Sequence, residues 1–258
     1  MKGLIMFFIA CMLMAGASAA TIGEMADSAY NKEEYRQAID LYNQSIQEEG
    51  VSADVYYNLG NAHFRNDNTG KAILNYERAL RLDPSHSDAR TNLNYVKSKL
   101  IDKPEDDTNV LYKIHHGIMS MMSANAWAYM ALSLFILFLG AIGLYIFSSH
   151  VTYRKIGFFG GSTLIFVCAY VIYLACDAAA IARSHESAVV IVPSTQLTSA
   201  PRGAKSGKDK VVTIHEGTRV EIIDSVATPD DPVSPKWYNI KLNNSTKAWL
   251  RSSDVERI

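Results

Sequence analysis

Residues 126–147 read AWAYMALSLFILFLGAIGLYIF, and residues 156–176 read IGFFGGSTLIFVCAYVIYLAC. Neither run holds a charge or shows a polar face. About 20 apolar residues in a helix cross the roughly 30 Å hydrocarbon layer of a bilayer. The first run carries eleven Leu, Ile and Phe residues. Each favours insertion by about 0.3–0.6 kcal/mol, so roughly 3–7 kcal/mol together. The pair reads as a two-helix transmembrane hairpin, with spans over 126–147 and 156–178 and a connection over 148–155. Arg154 and Lys155 in so short a connection place it in the cytoplasm by the positive-inside rule. Both ends of the hairpin then emerge in one extracytoplasmic compartment.

Working outward, 258 residues leave room for two small domains beside the hairpin. Residues 20–108 carry 10 Lys/Arg against 16 Asp/Glu, and residues 183–258 carry 11 against 9. Neither balance makes the basic surface that nucleic-acid binding needs. Cys11, Cys168 and Cys176 all lie in apolar stretches. The two polar regions therefore have no disulfide framework and no thiolate metal site. Residues 1–20 have one cation, Lys2, an apolar run from Leu4 to Ala15, and a small-x-small ending at Ala17-Ser18-Ala19. This reads as a secretory signal peptide, with an uncleaved signal anchor as the alternative. Either one exports the region that follows.

Residues 21–102 contain an internal repeat. Ala38-Ile39-x-x-Tyr42-x-x-Ser45 returns 34 residues later as Ala72-Ile73-x-x-Tyr76-x-x-Ala79. Tyr56-x-x-Leu59-Gly60-x-x-His63-Phe64 precedes the second copy, and Leu82-Asp83-Pro84 closes it. This pattern resembles the tetratricopeptide repeat (TPR), a helix–turn–helix unit of that period. The resemblance implies that Gly60, Ala72, Tyr76 and Ala79 pack one helix on the next, and that Pro84 separates two helices. The first copy is more degenerate. Ser85–Leu100 is expected to be a third helix that caps the second repeat through Ala89, Leu93 and Val96. So short a solenoid is expected to lean on a partner or a second copy. TPR arrays hold extended protein segments on their concave face. Carried over, the protein-binding positions are Tyr57, Asn61, Phe64 and Arg65, with Asp27 and Tyr30 corresponding in the first copy. Asn58 and Asn92 stand where some TPR domains grip a peptide terminus, but the lysines of such a clamp are absent. A solvated polar face is the other reading of Asn58, Asn61 and Arg65. His63 reads as core packing.

A linker and an interfacial helix are expected over 103–125, the helix on the spacing of Val110, Leu111, Ile114 and Ile118, leading in at Trp127 and Tyr129. His115 and His116 project about 100° apart, so they converge poorly on one metal ion and read as interfacial histidines. Gly157, Gly160, Gly161 and Ser162, with Gly140 and Gly143, are expected to bring the two spans close. Asp177 reads as a boundary residue, with a proton-relay role as the sharper alternative.

From residue 187 the period changes to strands. Val189–Val192, Val211–Ile214, Val220–Ile223, Trp237–Leu242 and Trp249-Leu250 are separated by turn residues, including Asn243-Asn244 and a Pro-rich loop around Asp230-Asp231. Five or six short strands fit a small all-β barrel. Glu216-Gly217-Thr218, Trp237-Tyr238 and Ala248-Trp249-Leu250 resemble the bacterial SH3-like family. In that family reading Trp237 and Trp249 serve the core, and some members bind cell-wall peptides.

The sequence holds no phosphate-cradling glycine loop, no HExxH and no GxSxG. No catalytic, cofactor-binding or metal residue is therefore assigned. The order of parts resembles the Bacteroides aerotolerance (Bat) family across essentially the whole chain. That resemblance implies a non-enzymatic scaffold of the bacterial inner membrane, with both soluble domains periplasmic and with partners that include von Willebrand A-type membrane proteins. The alternative is a membrane-tethered protein that binds or senses peptidoglycan.

Overall fold

A computed structural model describes residues 20–102, 109–184, 186–202, 210–227, 236–242 and 246–258. The expected signal peptide (save Ala20), the Pro104 stretch of the linker, the Asp230-Asp231 loop and the Asn243-Asn244 turn lie outside the described residues.

The helical region begins with α1 (Ile22–Asn31) and α2 (Tyr35–Glu48), followed by α3 (Ala53–Arg65), α4 (Thr69–Leu82) and α5 (Ser87–Ser98). Thr21 starts α1 through a capping box with Glu24, and Ser52 caps α3 through the Val55 amide. The turns within the two hairpins are alike. Glu33 and Asp67, 34 residues apart, both take left-handed backbone conformations, φ 63° and φ 58°. Alanines hold the helices close: Ala26, Ala38, Ala62, Ala72, Ala79 and Ala89 are fully buried. Gly60 is tighter still, since a Cβ there would come within 2.7 Å of the Tyr76 ring. Pro84 occupies the turn between α4 and α5, and Ala89, Leu93 and Val96 bury the inner face of α5.

Two long apolar helices follow the short α6 (Val110–Met119): α7 (Ala124–Phe147) and α8 (Val151–Arg183). Both are long and apolar enough to cross a membrane. The connection expected over 148–155 is only Ser148-Ser149-His150, because α8 starts at Val151 and takes Arg154 and Lys155 into its first turns. A helix of 33 residues is about 50 Å long at 1.5 Å per residue, well beyond the apolar run that it contains. Close approach of α7 and α8 uses fewer small residues than expected. A Cβ on Gly157 would lie 2.7 Å from the Ala141 carbonyl oxygen, and Gly161 faces the Ala141 methyl. Gly140, Gly143 and Gly160 have nothing within 4 Å. Residues four apart share a helix face and residues three apart only partly do, which selects the Gly157–Gly161 pair. Trp127 is buried: its indole donates to the Met119 carbonyl at 2.9 Å, and the ring packs among Ala131, Val171 and Leu174. Tyr129 is exposed.

Seven strands form one curled antiparallel sheet in the order β3-β2-β6-β5-β4-β1-β7. They are β1 (Ser187–Val190), β2 (Ser194–Thr198), β3 (Lys210–His215), β4 (Arg219–Ala227), β5 (Lys236–Lys241), β6 (Lys247–Arg251) and β7 (Val255–Arg257). Its core comprises Ala188, Val190, Leu197, Ile214, Val220, Ile240, Ala248 and Leu250, with Tyr238 and Leu242 against it. Of the two tryptophans expected in the core, Trp237 is fully buried and Trp249 is half-buried. Alternation puts Tyr238, Ile240 and Leu242 inward, so Trp237 shares the other face with Asn239 and Lys241. Arg251 stacks on Trp237 there at 5.6 Å.

The sheet docks on α4 and α5, so the repeats lean on the chain's own carboxy-terminal domain. Val189 is buried in one cluster with Ile73, Tyr76, Leu93 and Val96. The turn Glu216-Gly217-Thr218 sits at this contact. Gly217 has φ +82°, and a Cβ there would meet Ile73 and Leu100 at 2.7 Å. Asp102 accepts from the His215 amide at 2.6 Å and the Thr218 hydroxyl at 2.9 Å. Burial would raise the Asp102 pKa, but these bonds and the His215 ring hold it below the usual carboxylate range. Glu77 of α4 is bridged to Lys97 at 2.6 Å and to Arg219 of β4 at 3.5 Å. Burial works against its charge, and the two cations keep its pKa low all the same.

Candidate protein-binding groove

Between α1, α2 and α3 a groove of about 460 Å³ is lined by Asp27, Tyr30, Asn31, Tyr42, Tyr57, Asn58 and Asn61. Among the described residues, none that lines it belongs to the sheet.

The groove wall is built from one hydrogen-bonded unit used twice. Tyr42 of α2 donates to Asp27 of α1 at 2.6 Å, and Asn58 of α3 donates to the same Oδ1 at 3.2 Å. One repeat later, Tyr76 of α4 donates to Asn61 of α3 at 2.7 Å, and Asn92 of α5 donates to that Oδ1 at 2.9 Å. Each member is 34 residues from its counterpart. The phenol comes from the second helix of a hairpin, the acceptor from the first, and the amide from the next hairpin. The unit therefore ties three successive helices and fixes the groove floor. Burial pushes the phenol pKa of Tyr42 well up, aided by the bond to Asp27, and burial does the same at Tyr76. Both stay neutral donors.

Of the four expected binding residues, Tyr57 and Asn61 line this groove. Phe64 and Arg65 do not. Phe64 is half-buried against the α5 cluster, edge-on to Tyr95 at 6.1 Å, and Arg65 stacks on Tyr35 at 5.1 Å. Both follow Asn61 by a helical turn and lie beyond the groove end. Tyr42 and Asn31 line the groove without having been singled out. The signal was present in the sequence: 27/61, 42/76 and 58/92 all repeat at the spacing of the motif. His63 is buried, among the described residues nothing hydrogen-bonds its Nδ1, and burial, assisted by Lys71, pushes its pKa down to about 4. Gly60, Ala72, Tyr76, Ala79 and Pro84 sit at helix contacts or turns, and among these Tyr76 also carries a groove bond. Trp237 and Trp249 are remote from the groove, on the sheet. Among the described residues no cluster of His, Cys, Asp and Glu has the makings of a metal site.

At the base of the helical region, Arg90 of α5 donates to the Ser120 carbonyl at 3.1 Å, just past α6. His115 of α6 meets Asp177 of α8 at 2.9 Å, with Tyr173 beside the imidazole at 5.2 Å. Burial, with Arg219 and Arg90 nearby, lowers the pKa of His116. Asp177, read from sequence as a boundary residue, thus fastens α6 to α8.

Comparison with known proteins bears on the helical region. Residues 53–86, which are α3, α4 and the turn after them, match the family model of the tetratricopeptide repeat. A stretch of 72 residues is 31% identical to "Protein SGT1 homolog" of Oryza sativa subsp. japonica, covering 28% of this chain and 20% of that protein. The chain thus spans about a fifth of the length of that curated relative. Tetratricopeptide repeats are protein-interaction modules, and the groove borders the matched hairpin, so the region carrying Tyr57, Asn58 and Asn61 is similar to a protein-binding repeat.

Proposed function

We propose that this chain is a non-enzymatic membrane scaffold of the Bat type, similar to BatE proteins, whose groove holds an extended segment of a partner protein. The observation that carries this reading is the doubled Tyr–Asp/Asn–Asn unit, which fixes a polar, tyrosine-lined groove floor. In this reading α7 and α8 cross the inner membrane with the 148–150 connection in the cytoplasm. Their apolar side chains support it: Phe147, Phe159 and Phe166 are 85%, 67% and 78% exposed, which water disfavours and lipid accepts. The contact between the helical region and the sheet also fits. Chain before α7 and chain after α8 touch through Gly70 and Glu216, so both lie on one side of any layer that the hairpin crosses. The exposed Val110, Leu111 and Ile114 of α6 would rest in the headgroup boundary, with His115–Asp177 setting the helix rotation. The sheet, an SH3-like module in this reading, braces α4 and α5. Membrane proteins with von Willebrand A-type domains are the partners that this family reading favours.

The test is co-purification from detergent-solubilised membranes by the tagged full chain, compared with the Tyr57→Ala/Asn61→Ala variant. Partner recovery should fall severalfold in the variant at equal protein level. Unchanged recovery would remove the groove from the account. Retention on purified cell-wall sacculi instead would favour the peptidoglycan reading.

A further inference from the structure

Asp27 carries a charge that the fold does not need. Its structural task is to accept from Tyr42, and the residue 34 positions later, Asn61, does the same task for Tyr76 with an uncharged amide. The geometry is nearly the same in the two places, 2.6 Å and 2.7 Å. Both bonds from Tyr42 and Asn58 fall on Asp27 Oδ1. Among the described residues no hydrogen bond reaches Oδ2, and Asp27 is exposed at the groove wall.

The surroundings favour a positive group at that oxygen. Tyr30, Tyr42 and Tyr57 line the same groove, and among the described residues no Lys or Arg does. Phenol faces attract cations. Residues 21–50, the first hairpin, hold seven Asp/Glu against two Lys/Arg. Arg65, the nearest cation of α3, is held over the Tyr35 ring.

We propose that the groove selects its extended partner segment by one lysine or arginine side chain, whose cation seats on Asp27 among the tyrosine rings. This rests on the groove reading above and names the chemistry of its occupant. A charge-assisted bond of this kind is about twice as strong as a neutral one. Because Asp27 faces water, the gain is screened by salt.

The test uses the full chain in phosphatidylcholine nanodiscs, a neutral surface that does not gather cationic peptides. A phage-displayed library of random dodecapeptides is selected on it. Recovered peptides are remeasured on Asp27→Asn, which keeps the Tyr42 acceptor as Asn61 does, and on Asn31→Trp, which blocks the groove from an exposed position without adding charge. The expected result is a set of peptides sharing one Lys or Arg and blocked by Asn31→Trp. Their affinity should fall about tenfold on Asp27→Asn, and equally on replacing that lysine by norleucine, an arm that does not depend on any protein variant. It should also fall between 50 and 500 mM NaCl. Peptides blocked by Asn31→Trp but indifferent to Asp27→Asn and to norleucine would overturn the cation proposal and leave the groove standing. Recovery of no peptide sensitive to Asn31→Trp would overturn both.

Discussion

His63 is held neutral inside the α3–α4 hairpin, and this makes the repeat pH-sensitive. Its pKa is pushed down to about 4 in the fold, against an ordinary value near 6.5 in the unfolded chain. The unfolded state therefore binds more protons as pH falls below about 6.5, and stability is lost on that side. The loss is about 1 kcal/mol at pH 5.5 and approaches roughly 3 kcal/mol near pH 4. Thermal unfolding by circular dichroism at pH 7.5 and 5.5 should show this drop, and His63→Phe should lessen it. At Gly60 the neighbour cannot move aside, because the Tyr76 ring facing it is fixed by its bond to Asn61. Gly60→Ala should cost about 1–3 kcal/mol in urea unfolding. These packing residues were legible from the repeat pattern. The tyrosine bonds were not, because motif positions specify which residues recur and not which atoms meet.

At the scale of elements, the sequence showed two apolar helices, a run of strands and the period of 34. It did not show which phase of a strand faces inward. β5 and β6 carry apolar residues on both faces: Ile240, Ala248 and Leu250 cluster on one, and Trp237 is buried on the other. Small residues were ambiguous in a similar way. Gly157 and Gly161 stand four apart and meet α7, while Gly160, between them, faces away. Gly157→Val should therefore separate α7 from α8 and Gly160→Val should not. Disulfide trapping between a cysteine placed at Ala131 and the chain's own Cys168, whose thiol meets the Ala131 carbonyl at 3.6 Å, measures the difference. Efficient trapping in Gly160→Val and weak trapping in Gly157→Val is the expected pattern.

At the scale of the whole molecule, the helical region, α8 and the sheet are joined at several points. Arg81 bonds the carbonyls of Ala182 and Ile258, Arg78 reaches Glu256, and Gly217 allows the sheet to seat on Ile73 and Leu100. Only three residues separate α8 from β1. Gly217→Val should lift the sheet from α4 and raise hydrogen exchange around Ile73 of α4, leaving the strands' own protection intact. Sequence alone could not show this contact, since no pattern relates residues over 100 positions apart. The contact also supports the proposed arrangement, in which one hairpin crosses the membrane and both polar regions share a side. The direct test is labelling of intact spheroplasts by a membrane-impermeant maleimide. Single cysteines are placed at Asp67, Ser149 and Ser253 in a chain otherwise lacking cysteine. Positions 67 and 253 should label, and 149 only after lysis. Labelling at 149 in intact spheroplasts, or opposite behaviour of 67 and 253, would contradict this arrangement.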